Sequence, residues 1–157
     1  MLIRQIHGPM DVMMSYSHLT VQNDTLISFA RELTERAGVG QLLTASPLCM
    51  GLLTPNPPGW IPAPPKLKST PSEAVDVCST WAGGLPNIAL GFSYQNARDL
   101  GIPTVVGMGS LEQVHEAVRV WREIVSDCRM QERKEYEDRV IRVFDASGYR
   151  NYSWSSP

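Results

Sequence analysis

Residues 10–46 read MDVMMSYSHLTVQNDTLISFARELTERAGVGQLLTAS, and this stretch decides the fold class. Its two ends, residues 10–16 and 40–46, are apolar runs of strand length. Between them, apolar residues recur at the spacing of a helix, and Asn23 or Asp24 can cap its start. A strand, a helix and a strand in about 35 residues form a βαβ unit, in which the helix carries the chain back and the two strands run parallel.

A proline-rich segment follows, from Pro47 to about Ser69, and it holds seven of the chain's 12 prolines. A loop of this length is usually functional or disordered. Because it contains Trp60 and several other apolar residues, we expect an ordered flap. The sequence Thr70-Pro71-Ser72-Glu73 then predicts a helix start, since it combines a capping residue, a proline at the first helical position and an early acid. We expect that helix to end at Gly83-Gly84.

The last part of the chain repeats the alternation of strand and helix. Pro86 predicts the start of another helix, and Ile102–Gly107 has the pattern of a third strand. Ser110–Gln113 is a capping box, which predicts a helix as far as about Ser126. A highly charged final helix is predicted from about Met130 to Phe144, and it should cover the outside of the fold.

Three parallel strands with helices between them predict an α/β fold whose sheet is incomplete. An open three-stranded sheet exposes two unpaired edges, which natural proteins rarely leave uncovered. A closed (β/α)8 TIM barrel needs about 250 residues, so this chain of 157 residues holds fewer than half of the strands. We therefore expect a fragment of such a barrel; the alternative is a chain that finds its missing strands elsewhere.

Composition narrows the class of partner. The formal net charge is −2 and the basic residues form no dense stripe, which argues against nucleic acid as the main partner. No apolar run approaches the roughly 18 residues that span a membrane. The three cysteines are widely spaced and form no CxxC motif, so we expect three reduced thiols and a cytoplasmic location rather than a disulfide framework or a zinc site.

Sites in parallel β/α folds form at the carboxyl ends of strands. The most informative of these ends is Gly107-Met108-Gly109-Ser110, where two glycines let a ligand approach the backbone and a helix start offers free N–H groups to an anion. A nucleotide phosphate would suit this site, but a tight turn between strand and helix explains the same residues. Ser46 beside Pro47 offers a hydroxyl at a second strand end, and it can equally be a plain turn serine.

Four stretches together resemble one enzyme family. They are residues 15–18, 38–54, 57–63 and 107–114, which include the motifs SPL-x-MGLLT and PPxW. In this order they resemble the aldo-keto reductases, and within that family the L-galactose and D-arabinose dehydrogenase branch. The resemblance implies that residues 1–157 are the C-terminal part of one oxidoreductase domain, about the last three strands of a (β/α)8 barrel with their helices. It also implies a nicotinamide cofactor, NAD or NADP, and a small sugar or aldehyde substrate.

The resemblance also implies roles for particular residues. In the family, residues matching Ser46 and Leu48 lie along the cofactor pyrophosphate, and residues matching Gly107, Gly109 and Ser110 hold the adenosine end. Residues matching Gln113 and Glu116 reach the ribose and adenine. Two positions depart from the family pattern, because Ala117 replaces an asparagine that contacts adenine and Ala45 replaces an aromatic residue that stacks on nicotinamide. Tyr16 and Trp60 are predicted to line the substrate site.

The catalytic set of the family is an aspartate, a tyrosine, a lysine and a histidine on earlier strands, and we expect no catalytic residue in this chain. A tyrosine needs a neighbouring lysine to act as a base at neutral pH, and the lysines here lie in the proline-rich segment and the last helix. His18 fits a packed, hydrogen-bonded histidine better than a catalyst. The predicted function is oxidation of an aldose at C1 to its lactone with NAD, by a protein that needs the missing N-terminal half of the barrel. The alternative is a truncated, catalytically dead module that binds nucleotide or protein.

Overall fold

The computed structural model describes residues 10–154. Its centre is a three-stranded parallel sheet in the order β1 (Val12–Tyr16), β2 (Gln41–Ala45) and β3 (Thr104–Val105). The helices are α1 (Leu26–Arg31), which continues as a π-helical turn over Glu32–Arg36, α2 (Pro65–Val77), α3 (Gly84–Leu100), α4 (Leu111–Val125) and α5 (Met130–Ser147). A 3₁₀ turn spans Cys49–Gly51. The prediction of an α/β fold with parallel strands is confirmed, and a small parallel sheet of this kind is consistent with part of a barrel.

The two faces of the sheet differ in what covers them. Leu42 of β2 is buried in a cluster with Leu26 and Ala30 of α1 and with Ala97 of α3. The opposite face carries the side chains that alternate with these along the strands, and four of them are 45–54% exposed although apolar: Val12, Met14, Tyr16 and Val105. No described element covers this apolar surface, which we call the uncovered face.

The largest core lies beside the sheet, among α2, α3 and α5. It is made of fully buried side chains from all three helices and from the segment that precedes α2, including Leu52, Leu53, Ile61, Leu67, Ile88 and Phe144. Because Ile61 and Ala63 are buried in this core, the proline-rich segment is an ordered part of the fold, as the sequence predicted.

The predicted boundaries of the proline-rich segment and of the next helix are wrong. Helix α2 begins at Pro65 rather than Thr70, with Pro64 as its N-cap, so the loop spans 47–64 and not 47–69. Thr70 lies inside the helix, where its hydroxyl donates to the Lys66 carbonyl at 2.9 Å. Pro71 also lies inside the helix, where proline destabilises by about 3 kcal/mol. Burial of the apolar helix face that includes Leu67 offsets this loss of stability. The helix also ends early, at Val77 rather than Gly83-Gly84.

The predicted cap of the first helix is wrong as well. Thr25 is the N-cap of α1 and makes no side-chain capping bond. Asn23 Oδ1 accepts from the Thr25 N–H at 3.1 Å, just before the helix, while its Nδ2 donates to the Ser153 hydroxyl at 3.0 Å and Asp24 pairs with Arg150. Gln22, beside them, donates to the Tyr149 and Tyr152 carbonyls at 2.7 and 3.0 Å. These polar side chains therefore hold the C-terminal segment against the sheet end, and Asn23 in addition binds the backbone at the N-cap of α1.

The third strand is shorter than the predicted Ile102–Gly107. It pairs with β2 at Thr104 and Val105, and its flanking bonds run from the Thr44 N–H to the Pro103 carbonyl at 3.0 Å and from the Ser46 N–H to the Val105 carbonyl at 3.2 Å. Proline has no N–H, so Pro103 accepts this bond but cannot donate one, which limits the strand at its start. By contrast, the predicted helix start at Ser110 is confirmed, since the Ser110 hydroxyl accepts from the Gln113 N–H at 3.3 Å.

Candidate functional site

A cavity of about 820 Å³ lies at the carboxyl ends of the three strands. Its floor includes residues of the uncovered face, and its walls are the segment after β2, the segment after β3 and the first two turns of α4. Seven of the nine residues predicted for the cofactor and substrate sites line it: Tyr16, Ser46, Leu48, Trp60, Gly107, Gln113 and Glu116. Gly109 and Ser110 are not among its lining residues. We call this space the strand-end cavity.

The turn after β2 brings Ser46 and Leu48 to the cavity wall. Ser46 has a left-handed backbone (φ 60°), and its Oγ accepts a hydrogen bond from the Met50 N–H at 2.9 Å. The Ser46 oxygen thus accepts a bond within the turn, and its hydroxyl proton can still donate toward the cavity. Leu48 packs against two apolar clusters, which fixes the turn on the core.

The loop after β3 forms the opposite wall. The Gly109 N–H donates to Gln113 Oε1 at 2.7 Å, so the loop and the first turn of α4 hold each other in place. A Cβ built on Gly107 would meet no atom within 4 Å, and Gly107 does not have a positive φ. Neither packing nor backbone conformation therefore requires glycine at position 107, where the space beside the backbone opens into the cavity.

The charged groups on the α4 wall are mainly acidic. A hydrogen bond from Ser110 lowers the pKa of Glu112, so this carboxylate stays ionised at the helix N-terminus at neutral pH. Glu116 also lines the cavity, and both of its oxygens accept from Arg119 at 2.7 Å. Arg119 is bound on its other side by Glu123 at 2.7 Å. The arginine nearest to the cavity on α4 is thus already paired with two carboxylates.

Glu116 is also contacted from α3, by a polar residue that the sequence patterns did not indicate. Asn87, on α3, is fully buried, and its Nδ2 donates to Glu116 Oε1 at 2.7 Å. No local pattern indicates this contact, because Asn87 has no distinctive neighbours in the first turn of α3 and its partner lies 29 residues away in the sequence.

A smaller cavity of about 150 Å³ adjoins the first at the end of β1 and contains His18. His18 Nδ1 lies 3.2 Å from the Ser15 hydroxyl and Nε2 lies 3.3 Å from the Ser153 hydroxyl. Burial lowers the pKa of His18, which keeps the ring neutral at pH 7. This geometry supports the interpretation of His18 as a packed, hydrogen-bonded histidine.

Lysine is absent from the residues that line either cavity. Lys68 donates to the Gly59 carbonyl at 3.1 Å and Lys134 pairs with Asp138 at 2.9 Å.

Between residues 10 and 154, no three His, Cys, Asp or Glu side chains are grouped so as to hold a metal ion. Within the same range, no helix is both long and apolar enough to cross a membrane.

Two characterised enzymes are similar to this chain. L-galactose dehydrogenase of Arabidopsis thaliana is 40% identical over 120 residues, which are 76% of this chain and 36% of that protein. D-arabinose 1-dehydrogenase of Saccharomyces cerevisiae is 28% identical over 112 residues, which are 71% of this chain and 33% of that protein. No protein-family profile matches the chain.

These similarities confirm the resemblance to the aldo-keto reductase family, and the chain matches the C-terminal part of its relatives. Both relatives are sugar dehydrogenases by name. The chain spans about a third of the length of each of them.

Proposed function

We propose that the strand-end cavity binds the pyrophosphate and adenosine end of NAD, in an oxidoreductase of the aldo-keto reductase type that oxidises an aldose at C1 to its lactone. In this proposal residues 1–157 are the C-terminal part of one (β/α)8 domain. The observation that carries it is the convergence on one cavity of residues from three separate segments, each of which the sequence had linked to the same cofactor. Independent structural roles would not require these residues to share a single concave surface.

The residues present fit such a cofactor. Ser46 retains a hydroxyl proton for a pyrophosphate oxygen, and Gly107 leaves open the space that a close-lying ligand needs. The Gln113 N–H is bonded to Ser110, whereas the N–H groups of Leu111 and Glu112 have no backbone partner within α4, and a helix N-terminus favours an anion. Gln113 and Glu116 offer an amide and a carboxylate to the ribose and adenine. The nicotinamide ring, when bound, accepts a hydride from the sugar.

The substrate would lie at the other end of the cavity, near Tyr16 and Trp60. Tyr16 is 45% exposed and Trp60 is 61% exposed, and aromatic faces are common partners of sugar rings and nicotinamide. The proton acceptor for the sugar hydroxyl must come from another segment, because no lysine lies beside Tyr16 to make it an effective base. We propose that the uncovered face and the two sheet edges receive the N-terminal half of the barrel, since an apolar face of this kind needs a covering layer.

The three free cysteines, one of them exposed, fit a reducing compartment such as the cytoplasm.

The proposal predicts that the purified chain binds NAD and ADP-ribose in competition, with a dissociation constant below about 1 mM. Gly107→Leu should weaken this binding at least about tenfold, because the new side chain fills the cavity while meeting no protein atom at its Cβ. Isothermal titration calorimetry measures both effects. Gly59→Leu is the matched control, since Gly59 also has open space around its Cβ but does not line the cavity.

Equal binding by the wild type and by Gly107→Leu would contradict the assignment of the cavity. The same preparation should not reduce NAD with any of a panel of aldoses, because the acid–base group is not in this chain. Turnover that Tyr16→Phe abolishes would instead identify Tyr16 as the acid–base residue. Binding of ADP-ribose without turnover, in a chain that no N-terminal half restores to activity, would favour the alternative of a dead nucleotide-binding module.

The acidic wall of α4 predicts a preference for NAD over NADP. The 2′-phosphate of NADP needs a nearby cation, but Met108 and Gln113 stand where NADP-dependent members often carry basic side chains, and Arg119 is paired with Glu116 and Glu123. Ionised Glu112 adds repulsion. Each lost charge-assisted hydrogen bond costs about 1.5–3 kcal/mol, so NAD should bind about tenfold to a hundredfold more tightly.

The dissociation constant of NADP divided by that of NAD, measured by calorimetry, checks this preference and should exceed one. Gln113→Arg should move the ratio toward NADP, whereas Gln131→Arg, the same change at an exposed position of α5, should leave it unaltered. A ratio at or below one in the wild type would show that another group supplies the charge.

A further inference from the structure

Asn87 joins the strand-end cavity to a buried polar network. Its Oδ1 accepts from Trp81 Nε1 at 2.7 Å and from Arg133 Nη2 at 3.0 Å, and its Nδ2 donates to Glu116. Arg133 is fully buried, and it also donates to the Asn87 backbone carbonyl at 2.9 Å and to Glu123 at 2.7 Å. Glu123 in turn accepts from Arg119, which binds Glu116. The contacts therefore close a ring that begins and ends at the cavity carboxylate.

The chemistry of these partners allows only one orientation of the Asn87 amide. Trp81 Nε1 and the Arg133 guanidinium can only donate, so the atom that faces them must be the amide oxygen. The NH2 group is then left facing Glu116, whose carboxylate accepts. Because Asn87 is fully buried and no water can replace these bonds, its orientation is fixed by the core rather than by the cavity.

We infer that Asn87 is a positioning residue of the proposed cofactor site, which holds the Glu116 carboxylate in the geometry that receives the adenosine end of NAD. This inference rests on the proposed function. Arg119 alone would not fix that geometry, because it lies on the same helix as Glu116 and is partly exposed. Asn87 supplies the contact from a different helix, and Gly83 makes room for it: a Cβ at position 83 would lie 2.6 Å from Glu116 Oε1.

Asn87→Asp tests the inference with almost no change of shape. Its new carboxylate keeps the bonds from Trp81 and Arg133 but sets an oxygen against Glu116 where an NH2 stood. Two carboxylates at this distance share one proton at low pH and repel each other once it is lost. The other charged groups around the pair are Arg119 and Glu123 on α4, Arg133 on α5 and Arg129, which precedes α5. All of them remain unchanged in the variant.

The expected result is a new pH dependence of NAD binding. Relative to the wild type at each pH, the affinity of Asn87→Asp for NAD should fall about tenfold or more as the pH rises and the proton shared by the two carboxylates is lost. In the double variant Asn87→Asp/Glu116→Gln, the glutamine amide can donate to the introduced carboxylate, so this loss should disappear and the affinity should match that of Glu116→Gln alone. Asn96→Asp is the matched control on α3, because Asn96 bonds only to the Phe92 carbonyl of its own helix.

Thermal melts followed by circular dichroism identify variants that do not fold. If Asn87→Asp is one of these, Asn87→Ser should weaken NAD binding at every pH, because it deletes the donor without adding charge, and equal binding by it overturns the inference. An unchanged pH profile in Asn87→Asp, or a loss that persists in the double variant, also overturns it. Failure of the wild type to bind NAD overturns the proposed function and this inference together, and the first titration reveals it.

Discussion

Replacing Gly91 with alanine is expected to lower the free energy of unfolding by about 2–4 kcal/mol. Gly91 lies in the middle of α3 against the buried Arg133 side chain. A Cβ at position 91 would lie 2.7 Å from Arg133 Cζ and would overlap Arg133 Nη1. Alanine is otherwise favoured over glycine in a helix by about 1 kcal/mol, so a loss of stability here can arise only from the contact with Arg133.

The arginine cannot move aside without breaking its bonds. Its guanidinium is bound to Asn87 and to Glu123, and it is completely shielded from solvent. Displacing it leaves a buried charge without partners, which costs about 3–5 kcal/mol. Urea denaturation of the chain measures the effect, which should also appear as a melting temperature lower by about 10 °C.

A double-mutant cycle provides the control for this prediction. Arg133→Met removes the guanidinium, so Gly91→Ala should cost nothing further in that background. Equal losses from Gly91→Ala with and without Arg133 would show that the contact is not the cause. A wild-type melting temperature in the single variant would show that the guanidinium has room to shift.

Replacing Glu137 with glutamine is expected to stabilise the chain at alkaline pH and to remove most of the pH dependence of its stability. Burial raises the pKa of Glu137 from 4.5 to about 7, and one of its oxygens, Oε1, has no hydrogen-bond partner in the described structure. Folding therefore favours the protonated acid. The stability that this group contributes is fully present below its ordinary pKa and is lost as the pH rises through about 7.

The expected size follows from the shift in pKa. A displacement from 4.5 to about 7 corresponds to as much as about 3 kcal/mol lost between about pH 5 and pH 8. Urea denaturation at several pH values should show this decline in the wild type and not in Glu137→Gln. His18 acts in the opposite direction, because its lowered pKa removes stability as the pH falls, and comparison of the two proteins cancels its effect.

The same substitution at Glu135, an exposed position of the same helix, is the control and should leave the decline in place. A wild type whose stability is unchanged from pH 5 to pH 8 would indicate that the neighbouring Arg133 and Lys134 charges hold Glu137 ionised in the folded chain.

Local sequence signals located most of the elements that form the candidate site. The length of the apolar runs marked β1 and β2, and the capping box marked the start of α4, because each of these signals depends on residues within one turn or one strand. The carboxyl ends of parallel strands meet at one edge of a sheet, so the sequence also predicted which loops approach each other. Seven of the nine predicted site residues line one cavity for this reason, although their contact with a cofactor stays a prediction.

Signals of the same local kind failed where tertiary contacts compete with them. The pattern at Thr70 resembles a helix start, but α2 begins at Pro65 because Leu67 is buried by packing against the core. Asn23 and Asp24 resemble capping residues, and Asn23 Oδ1 does accept from the Thr25 N–H, but Asn23 Nδ2 and the Asp24 carboxylate hold Ser153 and Arg150, about 130 residues away. A single sequence contains no local trace of such partners.

By itself the sequence determined the parallel α/β class, the order of its elements and the loops that surround the cavity, since these follow from periodicity and chain direction. The tertiary structure alone decided the electrostatic character of the site. Asn87, Glu116 and Arg133 lie on three helices, and each meets the others only because the packing of those helices excludes water and leaves one set of hydrogen bonds possible. The orientation of the cavity carboxylate is therefore a property of the folded core, which no local pattern records.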